Sequence, residues 1–206
     1  MRMQMRTTGL CASLLVAATL LVAGSARAQD TVQVKLNTSE GDIVLELNQA
    51  KAPKTVANFL KYVKNDHYQG TIFHRVIPGF MIQGGGLDES LKEKDTLPPV
   101  ENEAGNALTN DKYTLAMART ADPDSATSQF FINTADNAPL NRNDPRSDGF
   151  GYTVFGKVVE GQDVVDKIAA KPTKAAPDPE VPGALMRDVP IEPVVIKDAT
   201  VVSNGK

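Results

Sequence analysis

Several features are missing from this 206-residue chain, and each absence excludes a class of protein. The chain has one cysteine, so it cannot form an internal disulfide, and it has no tryptophan. Its 22 Lys and Arg are outnumbered by 25 Asp and Glu, which argues against a nucleic-acid or anionic-membrane partner. Outside the first 28 residues, no apolar run is long enough to span a membrane.

Sequence patterns for phosphates, dinucleotides and metal ions are also missing. Gly84-Gly85-Gly86 is not followed by the Lys-Ser/Thr of a phosphate loop, and no dinucleotide fingerprint is present. Residues 136–148 are rich in Asp and Asn, but they do not match a calcium loop and are interpreted as a solvated turn. We therefore expect neither a cofactor nor a metal ion.

The first 28 residues have the three parts of a secretory signal peptide. Arg2 and Arg6 form a positive start, residues 10–24 are apolar, and Ala26-Arg27-Ala28 supplies a small-x-small cleavage site. The alternative is a membrane anchor, but the apolar run is shorter than the roughly 20 residues that a spanning helix needs. We predict cleavage after Ala28 and export, with the periplasm as the expected location.

Cleavage at this point would leave residues 29–206 as a single domain, large enough for a substantial core. It would remove Cys11 and three arginines but no acid, so the net charge would change from −3 to −6. The exported protein is therefore expected to have no thiol chemistry and no membrane attachment. Nothing in the sequence indicates an obligate oligomer, and a monomer is expected.

Alternating apolar and polar residues predict a protein made mainly of β-strands. Eight strands are predicted, at residues 31–38, 41–48, 71–77, 80–83, 113–118, 128–133, 153–159 and 193–202. Apolar residues at helical spacing predict two helices, from Pro53 to about residue 65 and over 162–170. Three long segments are predicted as loops, at 87–111, 134–151 and the proline-rich 171–190.

This order of elements lacks the strand–helix alternation of a parallel α/β fold. Eight short antiparallel strands are suited to a closed barrel filled by side chains, and closure would protect the strand edges. From the pattern alone, a β-sandwich fits nearly as well. No internal repeat and no interdomain linker is recognisable.

The segment 73–86, FHRVIPGFMIQGGG, joins two short β-prone runs through a Pro-Gly turn. Because strand side chains alternate between faces, Met81 and Gln83 point the same way. The turn can fold Arg75 back beside them. The result would be a shallow apolar pocket with a guanidinium and an amide at its edge, which suits the ring of a proline within a peptide.

This segment resembles the signature of the cyclophilins, a family of peptidyl-prolyl cis-trans isomerases. Two further blocks resemble the same family in the same order, namely MAR at 117–119 with SQFFIN at 128–133, and VFGKVV at 154–159. The resemblance extends from about residue 31 to 202. It implies a mainly β fold, a closed eight-stranded antiparallel barrel capped by two α-helices, and isomerase activity on proline-containing polypeptides such as folding exported proteins.

The resemblance assigns the catalytic role to Arg75. Isomerisation twists an amide against a barrier of about 18–20 kcal/mol without breaking a bond, so neither a nucleophile nor a metal is needed. A donor aimed at the prolyl nitrogen interacts more strongly in the twisted state, which a charged, planar guanidinium can exploit. Taken alone, a strand arginine would more often be paired with a surface carboxylate.

The resemblance also implies a set of substrate-binding residues. Apolar members match the proline pocket, although such residues ordinarily belong to a core. Gln83, Gln129 and the backbone of Arg119 match groups that line the groove beside the proline. The complete predicted set is His74, Phe80, Met81, Gln83, Ala118, Arg119, Gln129, Phe131, Leu140 and Tyr152. Phe130 is assigned to the core, and His67 is predicted to be exposed.

Three positions depart from the common family pattern. Arg119 stands where many relatives have asparagine, Pro139 where many eukaryotic relatives have tryptophan, and Tyr152 where they have histidine. These changes bear on inhibitor binding and substrate preference more than on the reaction. Two other functions are considered: a binding-only chaperone for proline-containing segments, which has no need of Arg75, and a barrel that carries an apolar ligand, which needs a hollow interior.

Overall fold

The structure is a computed structural model that describes residues 31–202. The predicted signal peptide, residues 1–28, lies outside the described residues. In the described part, no helix is both long enough and apolar enough to cross a membrane.

The described residues form eleven strands, two α-helices and one short 3-10 helix. The strands are β1 Thr31–Thr38, β2 Gly41–Asn48, β3 Thr71–Ile72, β4 Arg75–Ile77, β5 Met81–Gly84, β6 Thr114–Met117, β7 Phe130–Asn133, β8 Val154–Glu160, β9 Thr173–Pro177, β10 Leu185–Pro190 and β11 Val195–Val202. The helices are α1 Pro53–Lys64 and α2 Gln162–Ala169, and the 3-10 helix is Ala138–Leu140.

Nine strands pair in one sheet, in the order β3-β11-β1-β2-β8-β6-β7-β5-β4. Its two end strands, β3 and β4, are separated in sequence only by Phe73 and His74, so the sheet must curl to bring its ends together. At this break the chain changes partners, because β3 pairs with β11 whereas β4 pairs with β5. The mainly β fold with two helices is confirmed as a curled half-barrel.

The predicted closed eight-stranded barrel is not confirmed. The sheet has nine strands, and no ladder joins β3 to β4 within residues 31–202. The difference arises in the segment 71–77, which was predicted as one strand. Phe73 donates its N–H to the carbonyl of Val194 (2.9 Å), after which the chain leaves β11 before it pairs with β5. One predicted strand is therefore two short strands at opposite ends of an open ladder.

The main core fills the concave side of this sheet. From β2, Ile43, Leu45 and Leu47 are fully buried, as their alternation predicts. Helix α1 adds Phe59, whose ring lies 5.0 Å from that of Tyr68 and 5.3 Å from that of Phe155. Because the interior is filled by large side chains, the structure gives no support to a hollow ligand carrier.

A second, smaller hydrophobic cluster consists of Met81, Ala116, Phe131 and Val154. Their cross-strand partners place them on the opposite face of β5, β6, β7 and β8 from the main core. The alternation is clearest in β7, since Phe130 belongs to the main core and Phe131 to this cluster. The strand pattern therefore supplies an apolar floor outside the core.

Two further predictions about local structure are wrong. The proline-rich segment 171–190, predicted as a loop, contains the two-stranded sheet of β9 and β10. His67, predicted to be exposed, is buried, and its Nε2 lies 3.2 Å from the carbonyl oxygen of Gly85. Both Tyr62 and Tyr68 pack against its ring, so the histidine completes the end of the core.

Candidate active site

A cavity of about 200 Å³ lies over the second hydrophobic cluster. It brings together the predicted catalytic residue and eight of the ten predicted binding residues. The lining residues are Arg75, Phe80, Met81, Gln83, Ala118, Arg119, Phe131, Leu140 and Tyr152. They come from β4, β5 and β7, from the turn between β4 and β5, and from the segments that follow β6 and β7, so only the folded chain assembles them.

Strand register places three of these residues in one row. Arg75 pairs with Gln83 across β4 and β5, and Gln83 pairs with Phe131 across β5 and β7. Directly opposed residues project from the same face with Cβ atoms about 4.5–5.5 Å apart. The row therefore runs from an exposed guanidinium, through an amide, to an aromatic ring that is only 4% exposed.

The amide of Gln83 is held by a second amide. Its Nε2 donates to Oε1 of Gln129 at 3.0 Å, which satisfies a polar group in an apolar strand. Gln129 does not line the first cavity. It lines an adjoining cavity of about 290 Å³, which shares Gln83, Ala118 and Arg119 with the first. The two cavities thus form one groove with Gln83 at their boundary.

His74 is the predicted binding residue that the structure removes from the groove. Its side chain is 4% exposed and lines neither cavity. Burial lowers the pKa of His74 to about 4, so the ring is neutral at pH 7. Its Nδ1 is buried and has no hydrogen-bond partner among residues 31–202. Position in the motif next to Arg75 did not reveal this, because His74 lies in the break between β3 and β4, where the chain changes strand partners and simple alternation does not apply.

The rim of the groove depends on an asparagine network that the sequence did not reveal. Asn137 Nδ2 donates to the carbonyl of Phe80 and to Oδ1 of Asn133, both at 2.7 Å. Asn133 Nδ2 in turn donates to Oδ1 of Asn110 at 3.2 Å. The network ties the turn before β5 to the segment 134–140 that carries Leu140. The polar sequence of these segments predicts loops but not their mutual contacts.

The side chain of Arg119 is almost fully buried, with 3% of it exposed. Its Nε donates to the carbonyl of Gly151 at 3.1 Å, and its Nη1 donates to the carbonyl of Thr120 at 2.9 Å. Nη2 pairs with the carboxylate of Asp148, and this hydrogen bond holds the pKa of Asp148 below its usual value. The sequence predicted only a backbone role for Arg119 and gave no indication of Asp148.

Another cavity, of about 290 Å³, lies near the ends of β2, β6 and β8, with Glu46, Leu108, Asp111, Val154 and Lys157 in its lining. It contains none of the predicted site residues, and its one cation, Lys157, already pairs with Glu46. Residues 31–202 contain no group of three or more His, Cys, Asp or Glu side chains that could hold a metal ion. The groove remains the place where a charged donor, amides and an apolar floor converge.

A curled, mainly β sheet with such a groove defines the cyclophilin-like class. The structure is similar to that of a cyclophilin-type peptidyl-prolyl cis-trans isomerase of Cryptosporidium parvum. The TM-score is 0.67 with 27% sequence identity, over 85% of this chain and 99% of that chain. It is also similar to the structure of the same protein in the presence of the dipeptide Ala-Pro, with a TM-score of 0.66.

The sequence comparisons agree with the structural ones. The family described as cyclophilin type peptidyl-prolyl cis-trans isomerase/CLD matches residues 32–201. A peptidyl-prolyl cis-trans isomerase of Streptomyces antibioticus is 57% identical, over 82% of this chain and 98% of its own length. Peptidyl-prolyl cis-trans isomerase B of Escherichia coli is 50% identical with the same coverage. The chain belongs to the family of cyclophilin-type peptidyl-prolyl cis-trans isomerases, and the enzyme class predicted from its sequence is confirmed.

Proposed function

We propose that the groove isomerises X-Pro bonds of polypeptides with Arg75 as its catalytic residue. The observation that carries this proposal is the cross-strand row of Arg75, Gln83 and Phe131. It places a charged donor at one end, an anchored amide in the middle and a buried apolar ring at the other end. A prolyl peptide bond that twists towards its transition state can use all three: a charged donor at the prolyl nitrogen, a polar contact for the backbone and an apolar surface under the ring.

Substrate binding begins with the proline ring. Phe131 and Met81 form the floor of the cavity, and Phe80 and Leu140 stand at its rim. A cavity of about 200 Å³ admits a small apolar ring. Burying that ring removes apolar surface from water and orients the peptide bond before it.

The backbone of the peptide is held beside Gln83. Because Gln129 accepts one proton of the Gln83 amide, the orientation of that amide is fixed, and its Oε1 can accept from a substrate N–H. The backbone of Arg119 lies across the same groove. Two fixed contacts on either side of the proline allow the acyl part of the X-Pro bond to rotate while the ring stays in place.

Catalysis requires that the donors of Arg75 are available. No carboxylate lies within salt-bridge distance of its guanidinium in the described part of the chain, and the residue is exposed at the groove edge. The ordinary alternative, a strand arginine neutralised by a surface carboxylate, is therefore not what the structure has. As the amide twists, the prolyl nitrogen becomes pyramidal, and an N–H donor aimed at its lone pair stabilises the transition state more than the planar substrate.

A protease-coupled assay on a proline peptide tests this mechanism. Removing one such donor typically costs about 10²–10³ in rate, so Arg75→Ala should lose that much activity while its circular dichroism stays unchanged. Arg146→Ala is the matched control, because Arg146 is exposed and lines neither cavity. An Arg75→Ala variant as fast as the wild type would remove Arg75 from the mechanism. Loss of turnover in Arg75→Ala alone would support the proposed mechanism. Absence of turnover in the wild type would instead point to a binding-only chaperone.

We also propose that the enzyme works in the periplasm as a monomer on exported polypeptides, with no nucleic-acid or membrane partner. The charged, apolar and small-x-small parts of residues 1–28 support export, and the acidic balance supports the partner assignment. Intact-mass analysis of the exported protein should give a chain that begins at Gln29. An exported form that retains residues 1–28, or protein found only in the cytoplasm, would contradict the proposal.

A further inference from the structure

We infer that the side chain of Arg119 is a positioning residue, which holds Tyr152 and the loop 148–152 in place as one wall of the groove. The inference rests on the proposed function of the groove and adds a residue whose side chain had no assigned role. The resemblance to the family implies a role for the backbone of Arg119 in lining the groove and none for its side chain. Arg119 lines both cavities of the groove, but its side chain is only 3% exposed, so the guanidinium lies behind the wall and supports it.

The burial of Arg119 is the first observation. A guanidinium that loses its hydration is costly unless it is fully hydrogen-bonded and paired. Each nitrogen of the Arg119 guanidinium has one acceptor: the carbonyl of Gly151, the carbonyl of Thr120 and the carboxylate of Asp148. Since the acceptors lie on two separate segments, the planar fork of donors joins the strand-end segment after β6 to the loop 148–152.

The second observation is the position of the Tyr152 ring, which packs against the Arg119 guanidinium. The guanidinium carbon of Arg119 lies 4.4 Å from the centroid of the Tyr152 ring, which is stacking distance for a cation on an aromatic face. The Tyr152 ring meets Phe131 with centroids 5.6 Å apart and an interplanar angle of 77°. Tyr152 therefore lies between the guanidinium and the floor of the proline pocket. Its backbone N–H is also fixed by the carbonyl of Leu140 at 2.9 Å.

The loop itself is shaped around the same carboxylate. Besides Arg119, Asp148 accepts the backbone N–H of Phe150 at 2.9 Å and that of Gly151 at 3.2 Å through Oδ1. Gly151 has φ +69°, and a Cβ at that position would lie 2.3 Å from the backbone nitrogen of Arg142. The turn is thus confined by its own geometry on one side and by the ion pair with Arg119 on the other.

These contacts indicate how Arg119 acts on the reaction. Each of its three guanidinium nitrogens donates to a protein acceptor, whereas Arg75 has no carboxylate partner among residues 31–202 and can direct its donors to the prolyl nitrogen. Loss of the Arg119 side chain would leave Arg75, Gln83 and Phe131 in their row but would free Tyr152 to move. Substrate binding should then weaken, and the rate of the bound substrate should change little.

A double-mutant cycle with Tyr152 tests the inference in the peptide assay. Arg119→Ala should raise KM about tenfold, which is the effect of losing one well-desolvated cation–aromatic contact. The same variant should change kcat by less than about twofold. In a Tyr152→Ala background, the same substitution should change KM by less than about twofold, because the ring through which it acts is gone. Arg119→Lys should give an intermediate KM, since lysine can pair with Asp148 but cannot reproduce the fork.

Three results would overturn the inference. Arg119→Ala could leave KM unchanged per folded molecule and lower only thermal stability, which would make the side chain purely structural. Its effect could be the same with and without Tyr152, which would indicate direct contact with substrate. It could also lower kcat and leave KM unchanged.

If Arg119→Ala does not fold, Arg119→Lys and Asp148→Asn are compared in the same two backgrounds. Normal activity of Arg75→Ala would instead contradict the proposed function.

Discussion

Phe130 and Phe131 are adjacent in β7, yet they serve opposite faces of the sheet. The Phe130 ring lies in the main core, 5.6 Å from Phe59, whereas Phe131 lies under the groove. We expect Phe131→Leu to lower kcat/KM about tenfold, because the smaller side chain leaves the proline ring poorly packed. The measurement is kcat/KM per folded molecule in the peptide assay, with urea denaturation to obtain stability.

Phe130→Leu is the matched control for this prediction. Both substitutions remove the same atoms from a buried site, and each should cost about 0.5–3 kcal/mol of stability. Only the Phe131 variant should lose activity per folded molecule. Equal activity in both variants would return Phe131 to an ordinary core role and would leave the cavity without its floor.

His74 gives the protein a specific dependence on pH. Its pKa is about 4 in the folded state because of burial, against about 6.5 for an unperturbed histidine. The unfolded state therefore binds more protons below pH 6.5, so the stability that neutral His74 contributes is present above that pH and is lost as pH falls toward 4. Between pH 7 and pH 5 the loss should be about 2 kcal/mol, measured as the change in free energy of unfolding in urea.

His74→Gln serves as the comparison, because it removes the titrating ring and keeps a polar side chain of moderate size. In this variant the decrease between pH 7 and pH 5 should be much smaller. Some decrease should remain, since burial also lowers the pKa of His67. Hydrogen bonds lower the pKa of four carboxyl groups, those of Glu40, Asp42, Asp144 and Asp148, so these groups titrate below this range and do not obscure the result. An unchanged decrease in His74→Gln would show that His74 is not the responsible group.

At the scale of elements, sequence predicts best where one face is regularly buried. The bounds of β1 and β2 agree with the predicted 31–38 and 41–48, and α1 begins at Pro53 as predicted. The ribbon of β9 and β10 was missed because its few buried residues do not alternate regularly with exposed ones, so it lacks the pattern of a strand with one buried face. The break at Phe73 and His74 was missed because both residues are buried and strand-like. The change of partner that divides the strand depends on tertiary packing.

Gly161 marks the junction between β8 and α2, and it requires glycine for two reasons. Its φ is +83°, and a Cβ there would lie 2.3 Å from the carbonyl oxygen of Asp42 in β2. Gly161→Ala should therefore cost the left-handed strain of about 1–2 kcal/mol and a further 1–3 kcal/mol or so for displaced backbone. Helix α2 supplies Val165 and Ile168 to the core, so the loss should appear as global destabilisation in urea.

Gly183, at the turn between β9 and β10, provides the control for Gly161. Its φ is +84°, nearly the same, but no atom lies within 4 Å of the position of its Cβ. Gly183→Ala should therefore show the strain alone. The difference between the two variants isolates the contact with β2. Equal destabilisation would mean that backbone conformation, and not the approach of β2, determines glycine at 161.

For the whole molecule, the sequence motif predicted which residues line the groove but not which loop residues hold them in place. Met81 and Gln83 could be placed on one face because strand alternation is a local rule, and the Pro-Gly turn could bring Arg75 beside them. Phe131 was placed there only by the family resemblance. Asp148 and the asparagines around residue 137 could not be placed, since loops return to a site through contacts that no local rule describes. Gln129 was predicted to line the groove, but nothing in the sequence indicated that it also accepts a hydrogen bond from the amide of Gln83.

Binding of cyclosporin, a cyclic peptide that many cyclophilins bind, is a property of the whole groove. In strongly binding relatives, a tryptophan near the pocket supplies an indole N–H and a large apolar face. This chain has no tryptophan, and Pro139 occupies the matching place in the 3-10 helix 138–140. Pro139 is exposed, next to Leu140, which lines the cavity. Proline has no N–H and no aromatic face, so this part of the groove offers the inhibitor neither contact.

We therefore expect an active isomerase that cyclosporin inhibits poorly. Losing one hydrogen bond and part of an aromatic contact should weaken binding by roughly 2–4 kcal/mol, or about 30- to 1,000-fold. Turnover should be affected much less, because the proline ring rests on Phe131 and Met81 and not on residue 139. Titration of the inhibitor into the peptide assay measures the effect, and Pro139→Trp should tighten inhibition without raising kcat/KM. Nanomolar inhibition of the wild type would contradict the prediction, since it would require the groove to make those contacts without an indole.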